Sequence, residues 1–223
     1  MLKINSFCLL SFFDADELTD DISSLISTLP FGAFEAERLS SIKNQEHQKE
    51  SLASLLCLWK LTRSVGLSDA DLIVIRDGHG KPRFASIPLC FSMTHSRGLC
   101  AVALSDCDIG IDLEFTDVNR NYTEVSKRFF SPEEYATICS STSPENEFIR
   151  LWTKKEALAK LYGQGLASIC SKNLPSLDEY KFSEYALSCK KGSAHLSVCG
   201  PSDGASIKIY DDHKEITLYE IQN

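Results

Sequence analysis

The sequence lacks a surplus of positive charge. Lys and Arg total 23 against 31 Asp and Glu, for a formal charge of −8. A generic nucleic-acid binder carries a basic excess, so no nucleic-acid partner is expected. No run approaches the ~18 consecutive apolar residues of a membrane helix, and no membrane partner is expected either. Nine cysteines are present, but none form C-x-x-C, which excludes a zinc ribbon and a thioredoxin motif. Most lie in apolar runs, such as Cys57 in LASLLCLW and Cys90 in PLCFS, and read as small core residues of a reducing compartment. There is no G-x-S-x-G, no G-x-G-x-x-G, and Pro82 follows the Gly80-Lys81 pair where a P-loop needs Ser or Thr. The opening apolar run, Phe7 to Phe13, ends on acidic residues without a small-residue cleavage site, so it reads as a strand rather than a signal peptide. A cytoplasmic protein is expected.

A chain of 223 residues with 43% apolar content can bury a real core, as one large domain or two small ones. Residues 4–13 predict a strand. Residues 33–65 predict two helices meeting near Asn44, with a stop at Gly66. Leu72 to Arg76 predicts a strand, and GHGKPRF a turn-rich loop. GLCAVALS and IGIDLEF, parted by DCD, predict an antiparallel hairpin. Residues 122–130 predict a helix. SPEE at 131–134 and SPEN at 143–146 each predict a helix start, with Ser at the N-cap and Pro at the first helical position. After Gly165 the pattern turns to β. The class is α+β, with two lobes meeting near residues 105–120.

The chemistry concentrates in a few stretches. In LWTKKEALAKLYGQGL, helical spacing puts Trp152, Glu156 and Lys160 on one face before Gly163 and Gly165. Alone, the Glu-Lys pair is a surface contact of about 0.2–0.5 kcal/mol. In GIDLE, strand alternation sends Ile109, Ile111 and Leu113 toward the core and Asp112 and Glu114 the other way, roughly 7 Å apart. Such a pair is either a solvated face or a seat for a hard divalent cation such as Mg²⁺. Glu156 is the candidate third carboxylate. Glu134 is another, although Ser131-x-x-Glu134 is also a capping box. Lys81 and Arg83 bring positive charge beside two glycines. His95, in THS, is placed where a loop enters a strand, either solvated or functional.

Taken in order, GKP, FSMTHS, GIDLE, KRFFSPEEY and LWTKKEALAKLYGQGL resemble the Sfp-type 4′-phosphopantetheinyl transferases. The family pattern runs G-K-P, F-N-x-S-H-S, G-[IV]-D-[IL]-E, R-F-F-[ST]-x-x-E and W-x-x-K-E-[AS]-x-x-K-x-x-G-x-G-[IL]. The resemblance covers about Gly80 to Leu166. Ser92 stands where the family usually has Asn, and Thr94 where it usually has Ser.

The resemblance implies two similar lobes in pseudo-two-fold relation, residues 1–108 and 109–223, with the active site in the cleft between them, in a monomer. It implies transfer of the phosphopantetheine arm of coenzyme A to a serine of an apo acyl or peptidyl carrier protein, releasing 3′,5′-ADP. Asp112, Glu114 and Glu156 would hold Mg²⁺. Lys160, helped by Lys155, would neutralise the pyrophosphate. Lys81, Thr94 and His95 would grip the 3′-phosphate and nucleotide end, with Arg38, Lys43 and Lys49 as candidates for further grip. Glu156, a Mg²⁺-bound water that it orients, or Glu134 would take the serine proton, and Trp152 would anchor the helix by packing. Carrier proteins of this class are usually acidic. Lys127, Arg128, Lys154 and Lys155 are therefore the candidate docking cations, with Phe129 and Phe130 as possible apolar surface.

Overall fold

The computed structural model describes residues 7–19, 21–116, 122–164, 176–200, 206–210 and 216–221. The first half carries strand β1 (Phe7–Asp14), helices α1 (Ile22–Thr28), α2 (Ala33–Ser41) and α3 (Gln45–Ser64), the short pair β2 (Val74–Arg76) and β3 (Pro82–Phe84), and the hairpin β4 (Cys90–Ser96) and β5 (Leu99–Ser105). The second carries β6 (Gly110–Phe115), α4 (Tyr122–Phe129), α5 (Pro132–Ser140), α6 (Pro144–Leu161), the hairpin β7 (Lys181–Cys189) and β8 (Gly192–Gly200), then β9 (Ser206–Ile209) and β10 (Thr217–Glu220). Strand, three helices and hairpin thus occur twice in the same order. One sheet runs β4-β5-β1-β9 and the other β10-β7-β8-β6.

Strand alternation builds the layers. Cys8, Leu10 and Phe12 of β1, with Leu99, Ala101 and Ala103 of β5, meet Ile109 just before β6, Ile111, Leu113 and Phe115 of β6, and the inner residues of β7 and β8 in one core. The opposite face of the first sheet, with Phe91, Val102 and Leu104, packs on Leu52, Leu55, Leu58 and Leu61 of α3. These leucines recur every three residues, the stripe a helix needs to cover a sheet. On the far side, Ala157 and Leu158 of α6 pack on Cys199 of β8. The order is helix, sheet, sheet, helix. No disulfide joins the described cysteines, and several sit in these cores as expected.

The expected helix starts are present. Asn44 caps α3 through the His47 amide, and Ser131 and Glu134 form the capping box of α5. Ser143 holds the N-cap position of α6 without a side-chain cap bond. Three expectations change. GLCAVALS and IGIDLEF do not form a hairpin: β5 pairs with β4 and β1, whereas β6 pairs with β8 in the other sheet. Every residue of β5 is buried, so it takes a neighbour on each side, and residues 106–109 carry the chain between sheets. His95 lies within strand β4, not at a loop mouth. Helix α1, capped by Asp21, was not anticipated, because its sequence ISSLIST shows little periodicity.

Gly110 fixes how α6 lies on the second sheet. A Cβ there would stand 2.5 Å from the Leu161 amide nitrogen and closer still to the Ala157 carbonyl oxygen. The obstacle is helix backbone, and Gly110 has no left-handed φ, so the requirement is for space and not for glycine's backbone freedom. Gly110→Ala should therefore cost about 1–3 kcal/mol, as overpacking does. A Tm within one degree of the native protein's, by calorimetry, would contradict the close approach.

Candidate active site

The edge strands β4 and β6 of the two sheets lie side by side, and three hydroxyls stitch them together. The Ser92 hydroxyl accepts from the Ile111 amide at 3.1 Å. The Thr94 hydroxyl donates to Asp112 Oδ1 at 3.0 Å, and Ser96 donates to Glu114 Oε2 at 3.1 Å. Alternation in FSMTHS aims all three the same way, toward GIDLE.

Asp112 is buried. Its Oδ1 also receives the Lys160 ammonium of α6 at 2.8 Å. Its Oδ2 is buried without a hydrogen-bond partner among the described residues. An unsatisfied buried carboxylate oxygen is costly and calls for a cation or donor. Glu156, a helical turn before Lys160, is half-buried on α6. Among the described residues no three His, Cys, Asp or Glu side chains already stand together as a metal cage; the positive charge on Asp112 is that of Lys160. Trp152 is a packing anchor, edge-on to Phe129 at 5.4 Å and stacked on Phe148 at 5.9 Å.

Beside Asp112 opens a cavity of about 320 Å³ lined by Arg38, Arg76, Lys81, His95, Lys160 and Gly163, among others. Its cations are already held by the protein. Glu35, fully buried, takes Arg38 Nε at 2.9 Å and Arg76 Nε at 2.6 Å. Burial alone would raise the Glu35 carboxyl, but hydrogen bonds from Arg76 and Arg38 bring it below the usual range. Arg76 also donates to the Gly80 carbonyl at 2.9 Å. The Lys81 ammonium donates to the Leu161 carbonyl at 2.6 Å, at the C-terminus of α6, where a cation is favoured. That terminus closes as a Schellman motif: the Gly163 amide bonds Lys160 O, the Gln164 amide bonds Ala159 O, and Gly163 has φ +68°. Gly165 lies outside the described residues. The His95 ring is held below its usual pKa, first by burial and then by the nearby positive charge of His47 and Lys160, with Glu50 opposing.

A second cavity of about 910 Å³, lined by Lys127, Arg128, Phe130, Glu134, Lys154 and Lys155 among others, flanks α6. Lys155 pairs with Glu134 Oε2 at 2.9 Å and lies over the Phe130 ring. The same Glu134 oxygen accepts from the Ser131 amide at 2.7 Å, so its capping role is present.

The structure thus joins Thr94, Asp112 and Lys160 directly and gathers Arg38, Lys81, His95 and Lys160 around one cavity. It places Lys155 and Glu134 at the other. Lys43 and Lys49 line neither. Sequence reasoning missed Arg76, Glu35, Glu50 and Gly110. Arg76, a cation shortly before the GKP turn, was the one with a readable signal.

Beneath α6 lies a buried polar network. Glu184 receives Arg150 at 3.1 Å and Lys154 at 3.0 Å, with His195 Nε2 at 3.4 Å. Thr153 bridges His195 Nδ1 at 2.8 Å and the Ser197 hydroxyl at 2.9 Å.

Residues 108–208 match the description "4′-phosphopantetheinyl transferase superfamily". The chain is 31% identical over 163 residues to the 4′-phosphopantetheinyl transferase HetI of Nostoc sp., covering 69% of this chain and 68% of HetI. It is 26% identical over 196 residues to the 4′-phosphopantetheinyl transferase of Bacillus subtilis, covering 83% and 80%. It is 35% identical over 133 residues to the 4′-phosphopantetheinyl transferase AcpT of Salmonella typhi, covering 55% and 64%. Among the described residues, no helix is long and apolar enough to cross a membrane.

The Glu184 network carries its own prediction. Burial would raise this carboxyl, but His195, Lys154 and Arg150 hold it far below its ordinary 4.5. A depressed folded pKa contributes stability that is complete above the unfolded value and fades as pH falls. Glu184→Ala should cost about 3–5 kcal/mol at pH 7, because it takes the carboxylate from Lys154 and leaves Arg150 with Glu147 alone, at 2.8 Å. The difference between the two proteins should shrink below pH 4.5. Urea unfolding at several pH values measures this, and a pH-independent difference would contradict the ion-pair account.

Proposed function

The chain belongs to the 4′-phosphopantetheinyl transferase superfamily, and from that premise we propose that it transfers the 4′-phosphopantetheine arm of coenzyme A to a serine of an apo acyl or peptidyl carrier protein. The single observation that carries this reading is the Lys160–Asp112 pair at 2.8 Å, with a cation-lined cavity beside it. The reaction joins the serine oxygen to the pantetheine-side phosphorus and breaks that phosphorus's bond to the bridging oxygen. The bridging oxygen leaves with 3′,5′-ADP.

Positioning and charge neutralisation dominate such phosphoryl transfers. Arg38, Arg76, Lys81 and His95 would seat the phosphates of the nucleotide end. Lys160 would shift from Asp112 toward the bridging oxygen as charge grows there. We assign the serine proton to Glu156, because Glu134 Oε2 is engaged by the Ser131 amide and Lys155. The donor set suits a hard cation: all three carboxylates supply oxygen, and Asp112 Oδ2 has no hydrogen-bond partner among the described residues. Asp112, Glu114 and Glu156 would hold Mg²⁺, whose chemistry when bound is to neutralise the pyrophosphate. We read the two runs of strand, helices and hairpin as similar lobes in pseudo-two-fold relation, dividing near residue 108, with this site in their cleft. A cytoplasmic monomer accords with that reading.

Incubation with coenzyme A, Mg²⁺ and a panel of apo carriers, followed by intact mass, should show one added phosphopantetheine. Release of 3′,5′-ADP with no mass gain on any carrier would instead indicate a hydrolase. Asp112→Ala should abolish transfer while the protein stays folded. Lys160→Ala should lower kcat by about 10²–10³, with a smaller change in KM; a change confined to the coenzyme A KM would make Lys160 a binding residue.

Docking of an acidic carrier to a chain of charge −8 requires a local basic patch. Lys127 and Arg128 are exposed at the larger cavity. Replacing both by Glu should raise the carrier KM several-fold and spare the coenzyme A KM. An unchanged carrier KM would move the docking surface elsewhere.

A further inference from the structure

Glu50 has no part in the scheme above, yet it joins two pieces of the site. It projects from the first half of α3. Its Oε1 accepts from the Gly98 amide at 2.7 Å, and its Oε2 lies 3.0 Å from His95 Nδ1. Gly98 belongs to the two-residue turn between β4 and β5, where Arg97 has φ +50° and Gly98 φ +79°, the combination of a type I′ hairpin turn. The rest of that turn is also fastened. Lys191 donates to the Arg97 carbonyl at 3.0 Å, and the Ala15 amide to the Gly98 carbonyl at 2.7 Å. One carboxylate oxygen is thus tied to a rigid turn, which fixes where the other stands against the imidazole.

An ionised carboxylate only accepts, so the ring hydrogen belongs on Nδ1. That leaves Nε2 as the ring nitrogen available to the cavity His95 shares with Arg38, Arg76, Lys81 and Lys160. We propose that Glu50 is a positioning residue: by holding the hydrogen on His95 Nδ1 it dedicates Nε2 to the 3′-phosphate, and so sets a preference for coenzyme A over 3′-dephospho-coenzyme A. This deepens the transferase reading and rests on it.

The charges around the ring explain why the preference is selective. Burial disfavours an imidazolium most; His47 on α3 and Lys160 on α6 add to that, whereas Glu50 on α3 and Asp112 on β6 favour it. Without a phosphate, Nε2 is a bare acceptor among cations and offers little to a ligand. A phosphate monoester, whose second pKa is about 6, brings both negative charge and a shareable proton. With Glu50 behind it, the ring takes that proton on Nε2 and returns a charge-assisted hydrogen bond to the phosphate oxygen. Such bonds are about twice as strong as neutral ones. A ligand lacking the 3′-phosphate gains nothing from this arrangement.

Glu50→Gln tests it. The amide oxygen can still accept from Gly98, but the amide NH₂ donates to Nδ1 and moves the ring hydrogen to Nε2. The kcat/KM ratio of coenzyme A to 3′-dephospho-coenzyme A should fall about tenfold, through KM, the size expected when the ring's positive charge is lost from its bond to the phosphate. Imidazole ¹⁵N spectra should show the Nδ1–H form in the native protein and the Nε2–H form in the variant. Adding 3′,5′-ADP should protonate the ring only in the native protein. In a His95→Ala background, Glu50→Gln should leave the ratio where His95→Ala put it. Equal losses with both substrates, or a ratio change that persists without His95, would overturn the proposal. Absence of transfer from coenzyme A by the native protein would overturn the function instead, and the ¹⁵N spectra with 3′,5′-ADP would still decide the role of Glu50.

Discussion

The site depends on how closely α6 can lie against β6. Gly110 lets the helix backbone descend onto the strand, and from that depth Lys160 reaches Asp112. A larger residue would lift the helix by its own thickness and part the lysine from the carboxylate. The helix is also gripped at both ends of its contact. Lys81 takes the carbonyl of Leu161, and Thr153 is bonded into the second sheet through His195 and Ser197. The direction in which Glu156 and Lys160 face is therefore set by three separate contacts with different chemistry.

The cations of the site already have partners in the protein. Arg38 and Arg76 share Glu35, Lys160 sits on Asp112, and Lys155 sits on Glu134. These pairs hold the cations in place before a ligand arrives, which lowers the ordering cost of binding. They also lower affinity wherever a cation must give up such a bond to reach the ligand. Where the partner is a backbone carbonyl, as for Lys81, that competing attraction lacks a full negative charge.

Much of this was legible in the sequence where the signal is local. Helix starts at Asn44 and Ser131, the Gly66 and Gly163 stops, and the shared strand face of Asp112 and Glu114 follow from caps, left-handed glycines and alternation. The order of short motifs pointed to the family. What the sequence hid was pairing across distance. GLCAVALS and IGIDLEF look like partners because they are adjacent, yet each needs a neighbour from another part of the chain. Thr94 was read as facing a nucleotide, but its hydroxyl is committed to Asp112. Glu35 and Glu50 are ordinary helical glutamates in sequence, and their roles appear only once Arg76 and His95 are brought beside them.

The parallel pairing of β9 with β1 places Phe7 opposite Ser206. A ribosome working at roughly 5–20 residues per second makes the second of these strands well after the first. Until residue 206 emerges, β1 has its β5 neighbour but an open edge on the other side, and open edges recruit foreign strands. The first sheet is thus completed only after residue 206 has been synthesised, so the nascent chain passes through a stage in which that edge needs shelter from other chains.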